Sequence, residues 1–241
     1  MVMLFLKAER KVDNMEEKQS KRNFFKELAL SRLGETRLSE ISNSLMCVDE
    51  YNTHNDIWVR FIDTGTLVHT TYQNFANGKV KDPMCPSVFG IGYLGDEGEY
   101  QVKINNETTP QYMTWQSMLR RCYSFISLIK YPCYKGCSVD NRWLNYQVFG
   151  KWYDENYYDI EGETISLDKD ILVEGNKVYS ESTCLFVPKS INTMFARCKD
   201  KNRILNKLET YKGKMPDDVY NKVYIRLTTD EIVPTPIDTI S

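Results

Sequence analysis

Histidine is scarce in this sequence, because the 241 residues include only two, His54 and His69. Long apolar runs are missing as well, and none approaches the roughly 20 residues that a membrane-spanning helix needs. The opening segment Met1–Leu6 is too short for the apolar part of a secretion signal and has no small-residue cleavage site behind it. We therefore expect neither a membrane anchor nor a histidine-rich metal site.

The seven cysteines lack the paired spacing of a zinc site. Cys133 and Cys137 are four positions apart, whereas Cys184 and Cys198 lie far downstream. An odd number of cysteines without a secretion signal favours reduced thiols, as in a cytosol. The pattern predicts free, buried thiols and makes zinc a poor choice of cofactor.

Net charge is also nearly absent, since 31 basic and 33 acidic residues leave the chain at −2. This balance gives no overall attraction to nucleic acid, so any contact with DNA must come from a local basic face. The apolar share of 41% and the charged share of 27% are typical of a folded globular protein. Tyrosine is plentiful, at 16 residues, and aromatic rings can fill a core or stack on bases.

Periodicity predicts an α+β fold with four segments. Residues 1–32 are charged, contain no glycine or proline, and predict a helical arm. Residues 33–108 predict a small antiparallel β module that includes a hairpin of Asp56–Ile62 and Leu67–Tyr72. Residues 109–200 form the third segment, and 201–241 predict two helices followed by a loose tail from Thr228.

Gly90–Gly95 has the spelling of a dinucleotide-binding fingerprint. That motif needs a helix starting at its last glycines, so that the helix N-terminus faces the pyrophosphate. Here acidic residues follow it, and Tyr100–Ile104 then has strand character. We interpret Gly90–Gly95 as a glycine-rich turn.

The third segment carries the strongest patterns. A helix is predicted over residues 112–130, with one apolar face formed by Trp115, Met118, Leu119, Cys122, Ile126 and Ile129. A second helix carries an aromatic stripe of Trp143, Tyr146, Phe149 and Trp152, which we assign to the core. Glu163–Leu167 and Ser182–Val187 predict strands, and Pro188 suits the first turn of a helix.

Polar residues follow these elements in a pattern typical of a metal and phosphate site. Asp168 and Asp170 come at the end of the first strand, and Asn192 lies off the apolar stripe of the last helix. Carboxylate and amide oxygens suit Mg²⁺ or Mn²⁺, which hold phosphate groups. Asn176, beside Gly175, would fix the loop between the strands. Residue types alone leave another interpretation open, in which these side chains cap turns and the charges are solvated.

A run of residues in order resembles the phage-encoded HNH endonuclease family, the relatives of homing endonucleases. The matching pieces are Trp115–Tyr123, Tyr134–Val139, Trp143, Phe149, Trp152, Leu167–Asp170, Gly175–Ser180, Cys184–Pro188 and Asn192. The resemblance implies a ββα-metal domain, double-stranded DNA as partner, and action in the cytoplasm of a phage host. Residues 33–95 more weakly resemble an AP2-like DNA-binding module that often precedes this domain.

The resemblance also assigns roles. It matches Asp168 to the acidic ligand at the strand end, Asn176 to the loop asparagine and Asn192 to the polar position of the helix. If the protein cuts DNA, we expect Asp168, Asp170 and Asn192 to hold the metal and Lys169 to stabilise phosphate charge, so that Asp168, Lys169 and Asn192 form the catalytic set. The lysines and arginines around these positions are candidate DNA contacts: Arg120, Arg121, Lys135, Lys177, Lys189 and Arg197.

Two departures from the family pattern affect catalysis. Lys169 stands where the family has its catalytic histidine, and a lysine of ordinary pKa is no base near neutral pH. Thr183 replaces an asparagine before Cys184. We therefore expect DNA binding with impaired or absent nuclease activity. Two alternatives stay open: a non-catalytic protein that binds a host or viral protein, for instance to inhibit a defence enzyme, and a structural component of the virion.

Overall fold

The computed structural model describes residues 2–96 and 98–229, with side chains from Glu17 onward. It contains helices and small antiparallel sheets, which confirms the α+β class. The chain forms two compact units that divide between Cys85 and Pro86. No helix in the described part of the chain combines the length and apolarity needed to cross a bilayer.

The first unit comprises one long helix, a four-stranded antiparallel sheet and a short helix. Its elements are α1 (Val2–Arg32), β1 (Thr36–Ser39), β2 (Ser44–Thr53), β3 (Asp56–Phe61), β4 (Leu67–Thr70) and α2 (Tyr72–Ala76). The strands are adjacent in chain order. Helix α1 covers the segment predicted as a helical arm. The predicted hairpin corresponds to β3 and β4, and Ile57, Val59 and Phe61 alternate along β3 and are fully buried. Strands β1 and β2 were not predicted.

The second unit begins at Pro86 and carries the remaining elements. They are β5 (Lys103–Ile104), β6 (Glu107–Thr108), α3 (Pro110–Tyr123), α4 (Phe125–Lys130), β7 (Ser138–Val139), α5 (Tyr146–Asn156), β8 (Ile165–Asp168), β9 (Val178–Tyr179), β10 (Leu185–Pro188), α6 (Lys189–Arg197), α7 (Lys201–Glu209) and α8 (Asp217–Thr228). Short 3₁₀ turns lie at Pro132–Tyr134 and Asn141–Leu144. Beyond Thr229 the predicted tail lies outside the described residues.

Residues 86–102, which we had placed with the β module, belong to the second unit. Gly90–Gly95 forms a turn there with no helix after it, as expected. A Cβ atom at Gly92 would collide with the side chains of Trp115 and Leu119, so this position packs directly on α3. Asn145 and Gln147 crowd Gly95 in the same way. The two glycines thus serve close packing.

The helix predicted over residues 112–130 is two helices. Ser124 has an extended backbone, with ψ of 118°, and its side chain accepts a hydrogen bond from the Ser127 N–H, so it caps a new helix, α4. This break turns Ile126 and Ile129 away from the α3 face, and both are exposed, at 78% and 65%. The prediction of one helix with a single apolar face was wrong here, because the periodic spacing continues across the Ser124 cap.

An aromatic core holds α3, α5 and the residues before them together. The Trp115, Trp143, Tyr146 and Phe149 side chains are almost fully buried, and the Trp115 indole N–H donates a 2.7 Å hydrogen bond to the Trp143 carbonyl. The predicted aromatic stripe is therefore core, as expected.

A second core lies between β8, β10 and the three C-terminal helices. Leu185, Val187 and Ile191 pack in it with α7 residues Ile204 and Leu208. Val223 of α8 belongs to the same cluster. The C-terminal helices, which we had treated as a separate segment, thus share a core with the strands and helix that precede them.

Substitution of Gln147 tests whether its hydrogen bonds hold the segment of residues 86–102 against α5. The buried Gln147 side chain donates to the Leu94 and Tyr100 carbonyls at 2.8 and 3.2 Å and accepts from the Tyr100 N–H at 2.8 Å. Gln147→Met keeps the volume but leaves these buried backbone groups unpaired, so we expect the free energy of unfolding to fall by about 2–3 kcal/mol.

Urea denaturation measures this loss. The matched control is Lys151→Met on the exposed side of α5, which should change stability by less than about 0.5 kcal/mol. Equal effects of the two substitutions would contradict the assigned role of Gln147.

Candidate functional site

Strands β8 and β10 pair antiparallel, and α6 follows β10 directly. The register places Leu185 opposite Asp168 and Pro188 opposite Ile165. The Lys189 N–H donates a 2.7 Å hydrogen bond to the Thr164 carbonyl, so α6 starts beside the beginning of β8. This strand, loop, strand and helix order agrees with the predicted elements and brings the end of β8 close to one face of α6.

One cavity of about 560 Å³ lies at this junction. Asp168, Asp170 and Asn192 all line it, so the three predicted metal ligands reach one space from different elements. The other lining residues come from the loop after β8 and from α6 to α8: Ile171, Glu174, Gly175, Phe195, Ala196, Arg197, Cys198, Lys199, Lys201, Ile204, Arg226 and Leu227.

Asp168 fixes the turn that follows β8. Its Oδ1 accepts hydrogen bonds of 2.7 Å from the backbone N–H groups of both Asp170 and Ile171. Burial raises the pKa of the Asp168 carboxyl above its ordinary 3.8, although these two hydrogen bonds oppose the rise. The other oxygen, Oδ2, accepts no hydrogen bond from any described residue.

Lys169 turns inward between the cavity and the aromatic core. Its side chain is only 5% exposed, and the ammonium donates to Asp170 Oδ1 at 2.6 Å and to the Asn176 carbonyl at 2.7 Å. Lys169 does not line the cavity. We expected Lys169 to contact phosphate, but its ammonium group instead positions Asp170. The Oδ2 atom of Asp170 stays free to face solvent or a ligand.

Asn176 connects the two ends of the loop between β8 and β9. Its Nδ2 donates to the Lys169 and Val178 carbonyls at 2.8 and 2.7 Å, and its Oδ1 accepts from the Val178 N–H at 3.1 Å. Gly175 before it has a φ of 73°, a left-handed conformation that favours glycine. Both residues keep the loop in the form that presents Asp170.

The donor set suits a hard divalent cation. Within the described residues, the side-chain amide of Asn192 makes no hydrogen bond, so Asp168, Asp170 and Asn192 each retain an oxygen without a partner. Two carboxylates and an amide are the oxygen ligands that Mg²⁺ and Mn²⁺ accept together with water. The described residues contain no group of three or more His, Cys, Asp or Glu placed to hold a metal, so the amide of Asn192 is essential to this set.

Cations surround the same cavity. Arg197, a predicted DNA contact, lines it, and so do Lys199 and Arg226, which sequence reasoning missed. Arg226 donates a 2.8 Å hydrogen bond to Glu174 at the cavity rim. The hydrophobic spacing of α8 predicts the helix, but only the shared core of α7 and α8 places Arg226 beside Asp168.

The other predicted DNA contacts do not line this cavity. Arg120 and Arg121 line a different one at the end of α3. Lys135 and Lys189 are exposed, and the Lys177 ammonium donates to the Cys133 carbonyl at 3.1 Å. The six cations therefore do not form one surface around the candidate metal site.

No histidine lines the cavity, and Cys198 is the one cysteine among the residues that line it. Cys122, Cys137 and Cys184 are buried and free, as expected, whereas Cys133 is exposed because it lies in a surface 3₁₀ turn. His69, in the first unit, is paired with Asp56 at 2.8 Å.

The raised pKa of Asp168 generates a test of its burial. Asp168→Asn keeps an oxygen for the two backbone N–H groups and removes the charge. A carboxyl with a raised folded pKa contributes stability that is fully present below pH 3.8 and is lost as pH rises through the folded pKa. We expect the stability of Asp168→Asn relative to wild type to increase across that window and then stay level.

Denaturation with a chelator present, at a series of pH values between about 3 and 7, measures this difference. Glu161→Gln, at an exposed acid, is the control and should show no such rise. A difference that is constant or decreases with pH would contradict the burial of the Asp168 charge.

Comparison of the chain with family models, curated protein sequences and solved structures found no match.

Proposed function

We propose that this protein is a DNA-binding protein of the HNH-like class, which holds a divalent cation and DNA phosphate in the cavity between β8, α6 and α8. The observation that carries the proposal is that Asp168, Asp170 and Asn192 line one cavity and that each has an oxygen with no hydrogen-bond partner among the described residues. The resemblance of residues 112–198 to phage-encoded HNH endonucleases agrees with this use of the cavity.

The positive charges that line the cavity suit a phosphate group as ligand. Arg197, Lys199 and Arg226 line the cavity beside the carboxylates, so a bound cation and these side chains would together attract a phosphodiester. A divalent ion held there neutralises phosphate charge and polarises a phosphoryl oxygen. The side chains of the protein orient the ion and bind neighbouring phosphates.

Binding fits this cavity better than hydrolysis does. No histidine lines it, and Lys169, which stands at the family's histidine position, is buried and bonded to Asp170. A general base must reach the attacking water and have a pKa near neutrality. No histidine among the lining residues can take this role, so we place this protein among binders with little or no nuclease activity.

One observation favours the alternative of a protein-binding role. Phe125, Ile126 and Ile129 on α4 are exposed at 77%, 78% and 65%, which is unusual for neighbouring large apolar side chains. Such patches are typical of protein–protein contacts. Binding of a protein partner through this patch of α4 is therefore the second candidate function.

Metal-dependent DNA binding tests the first candidate. Asp168→Asn removes the charge of one ligand, and Asn192→Leu removes the oxygen of another. We therefore expect the affinity for Mn²⁺ to fall by about tenfold or more in each variant. Retention of duplex DNA in Mg²⁺ should fall in parallel. Titration with Mn²⁺ followed by electron paramagnetic resonance, and a mobility shift of duplex DNA, measure the two effects.

The matched controls are Glu161→Gln and Asn202→Leu, at exposed positions outside the cavity. The proposal is wrong if wild-type protein binds neither Mn²⁺ nor duplex DNA. In that case, capture of a host protein that is lost in the variant Phe125→Ser/Ile126→Ser/Ile129→Ser would support the second candidate. Metal-dependent nicking of DNA by wild type that Asp168→Asn abolishes would instead show an active nuclease.

Arg197 gives a further test that needs no metal measurement. If the Arg197 guanidinium contacts one DNA phosphate, Arg197→Ala should make the slope of log K against log salt less negative by about 0.9. Arg203→Ala, at an exposed cation of α7 outside the cavity, is the control. Equal slopes for wild type and Arg197→Ala would exclude this contact.

A further inference from the structure

A second cavity, of about 540 Å³, lies where α3 ends against α4 and the 3₁₀ turn Pro132–Tyr134. Three cationic side chains line it, those of Arg120, Arg121 and Lys130, and no carboxylate does. Its remaining lining residues are polar or aromatic, apart from one isoleucine: Ser117, Ser124, Ile126, Ser127, Tyr131 and Tyr134. A concentration of positive charge in a chain of net charge −2 attracts anions locally.

These cations are not neutralised within the described residues. Arg120 is exposed and its side chain has no partner there. Arg121 contacts only the Tyr179 phenol, at 3.4 Å, and burial raises the pKa of Tyr179, so that phenol carries no compensating charge. Aromatic rings accompany the charges instead: the Arg121 guanidinium lies 5.9 Å from the Tyr134 ring.

A compartment of about 270 Å³, lined by both polar and apolar side chains, lies beside this cavity along α3. Ser117 and Arg121 line both spaces, so the two adjoin, and we call them together the α3 cleft. Met113, Tyr153 and Tyr157 line the smaller compartment, and the two tyrosine rings stack 4.8 Å apart at 11°. Ligand sites commonly combine apolar walls with a few convergent polar groups, in volumes of about 300–1,000 Å³.

We propose that this α3 cleft binds a nucleoside phosphate, with the phosphate at Arg120, Arg121 and Lys130 and the base in the compartment lined by Met113 and Tyr157. Guanidinium groups pair with phosphate oxygens, and aromatic side chains stack on bases. A free nucleotide and a nucleotide unit of a single strand share this chemistry. None of these residues lines the candidate metal cavity between β8, α6 and α8. The α3 cleft is therefore independent of the function proposed above.

Calorimetric titration of wild-type protein in a chelator tests the proposal with four probes: inorganic phosphate, adenosine, adenosine monophosphate and a short single-stranded oligonucleotide. We expect adenosine monophosphate or the oligonucleotide to bind at least about tenfold more tightly than either phosphate or adenosine alone, because both compartments are then filled. Tighter binding of the free nucleotide identifies a small-molecule site, and tighter binding of the oligonucleotide identifies a strand. Binding of phosphate and adenosine only, or of no probe, overturns the proposal.

Variants separate the two compartments. Arg120→Gln should weaken the tighter probe by about tenfold, whereas Lys135→Gln, at an exposed lysine outside the cleft, should not. Met113→Glu should weaken the same probe and leave inorganic phosphate unchanged, with Gln116→Glu on α3 as its control. Arg121 is left intact because of its contact with Tyr179.

Unchanged binding in both Arg120→Gln and Met113→Glu would overturn the proposal. Glu161→Gln, at an exposed acid outside both cavities, should bind the probes as wild type does. Because the chelator removes divalent ions, a failure of the α3 cleft stays distinct from a failure of the candidate metal cavity.

Discussion

The two hydrogen bonds that Asp168 Oδ1 accepts from the backbone N–H groups of Asp170 and Ile171 set the geometry on which the candidate metal cavity depends. They end β8 and turn the chain at once, so that Asp170 lies on the cavity while Lys169 points inward. The buried ammonium of Lys169 then joins Asp170 to the Asn176 carbonyl. A buried charge is costly unless it is paired, and here the pairing also orders the acidic loop.

Strand β10 separates the two cores of the second unit. Phe186 packs in the aromatic core, whereas its neighbours Leu185 and Val187 pack in the C-terminal core. All four residues of β10 are buried, because alternate side chains of a strand point to opposite faces and both faces are covered. The metal cavity opens on the C-terminal side of this strand pair, and the α3 cleft reaches the aromatic side through Leu167 and Phe186. One short strand pair therefore supports two chemically different cavities.

The two cavities also treat charge differently. In the metal cavity carboxylates and cations occur together, which suits a metal ion with phosphate. In the α3 cleft cations occur with aromatic rings and without acids, which suits an anionic ligand that has a flat apolar part. The basic residues that we named as candidate DNA contacts therefore lie in different places and do not form one DNA-binding face.

Local pattern alone predicted several elements of this protein: the arm, the β3–β4 hairpin, helix α5, both strands of the candidate site and the helix after Pro188. These follow from periodicity, turn residues and proline, which act over a few positions. Asp168, Asp170 and Asn192 were also identified as candidates, because polar residues at strand ends and off an apolar stripe have no packing reason to be there. Only the tertiary structure decided that Lys169 is internal, that Ser124 splits a helix and that Arg226 joins the cavity. The inward position of Lys169 depends on burial, and that of Arg226 depends on packing between residues distant in sequence, neither of which has a local pattern. The Ser124 cap is a local contact with Ser127, but the apolar spacing continues across it and hides the break.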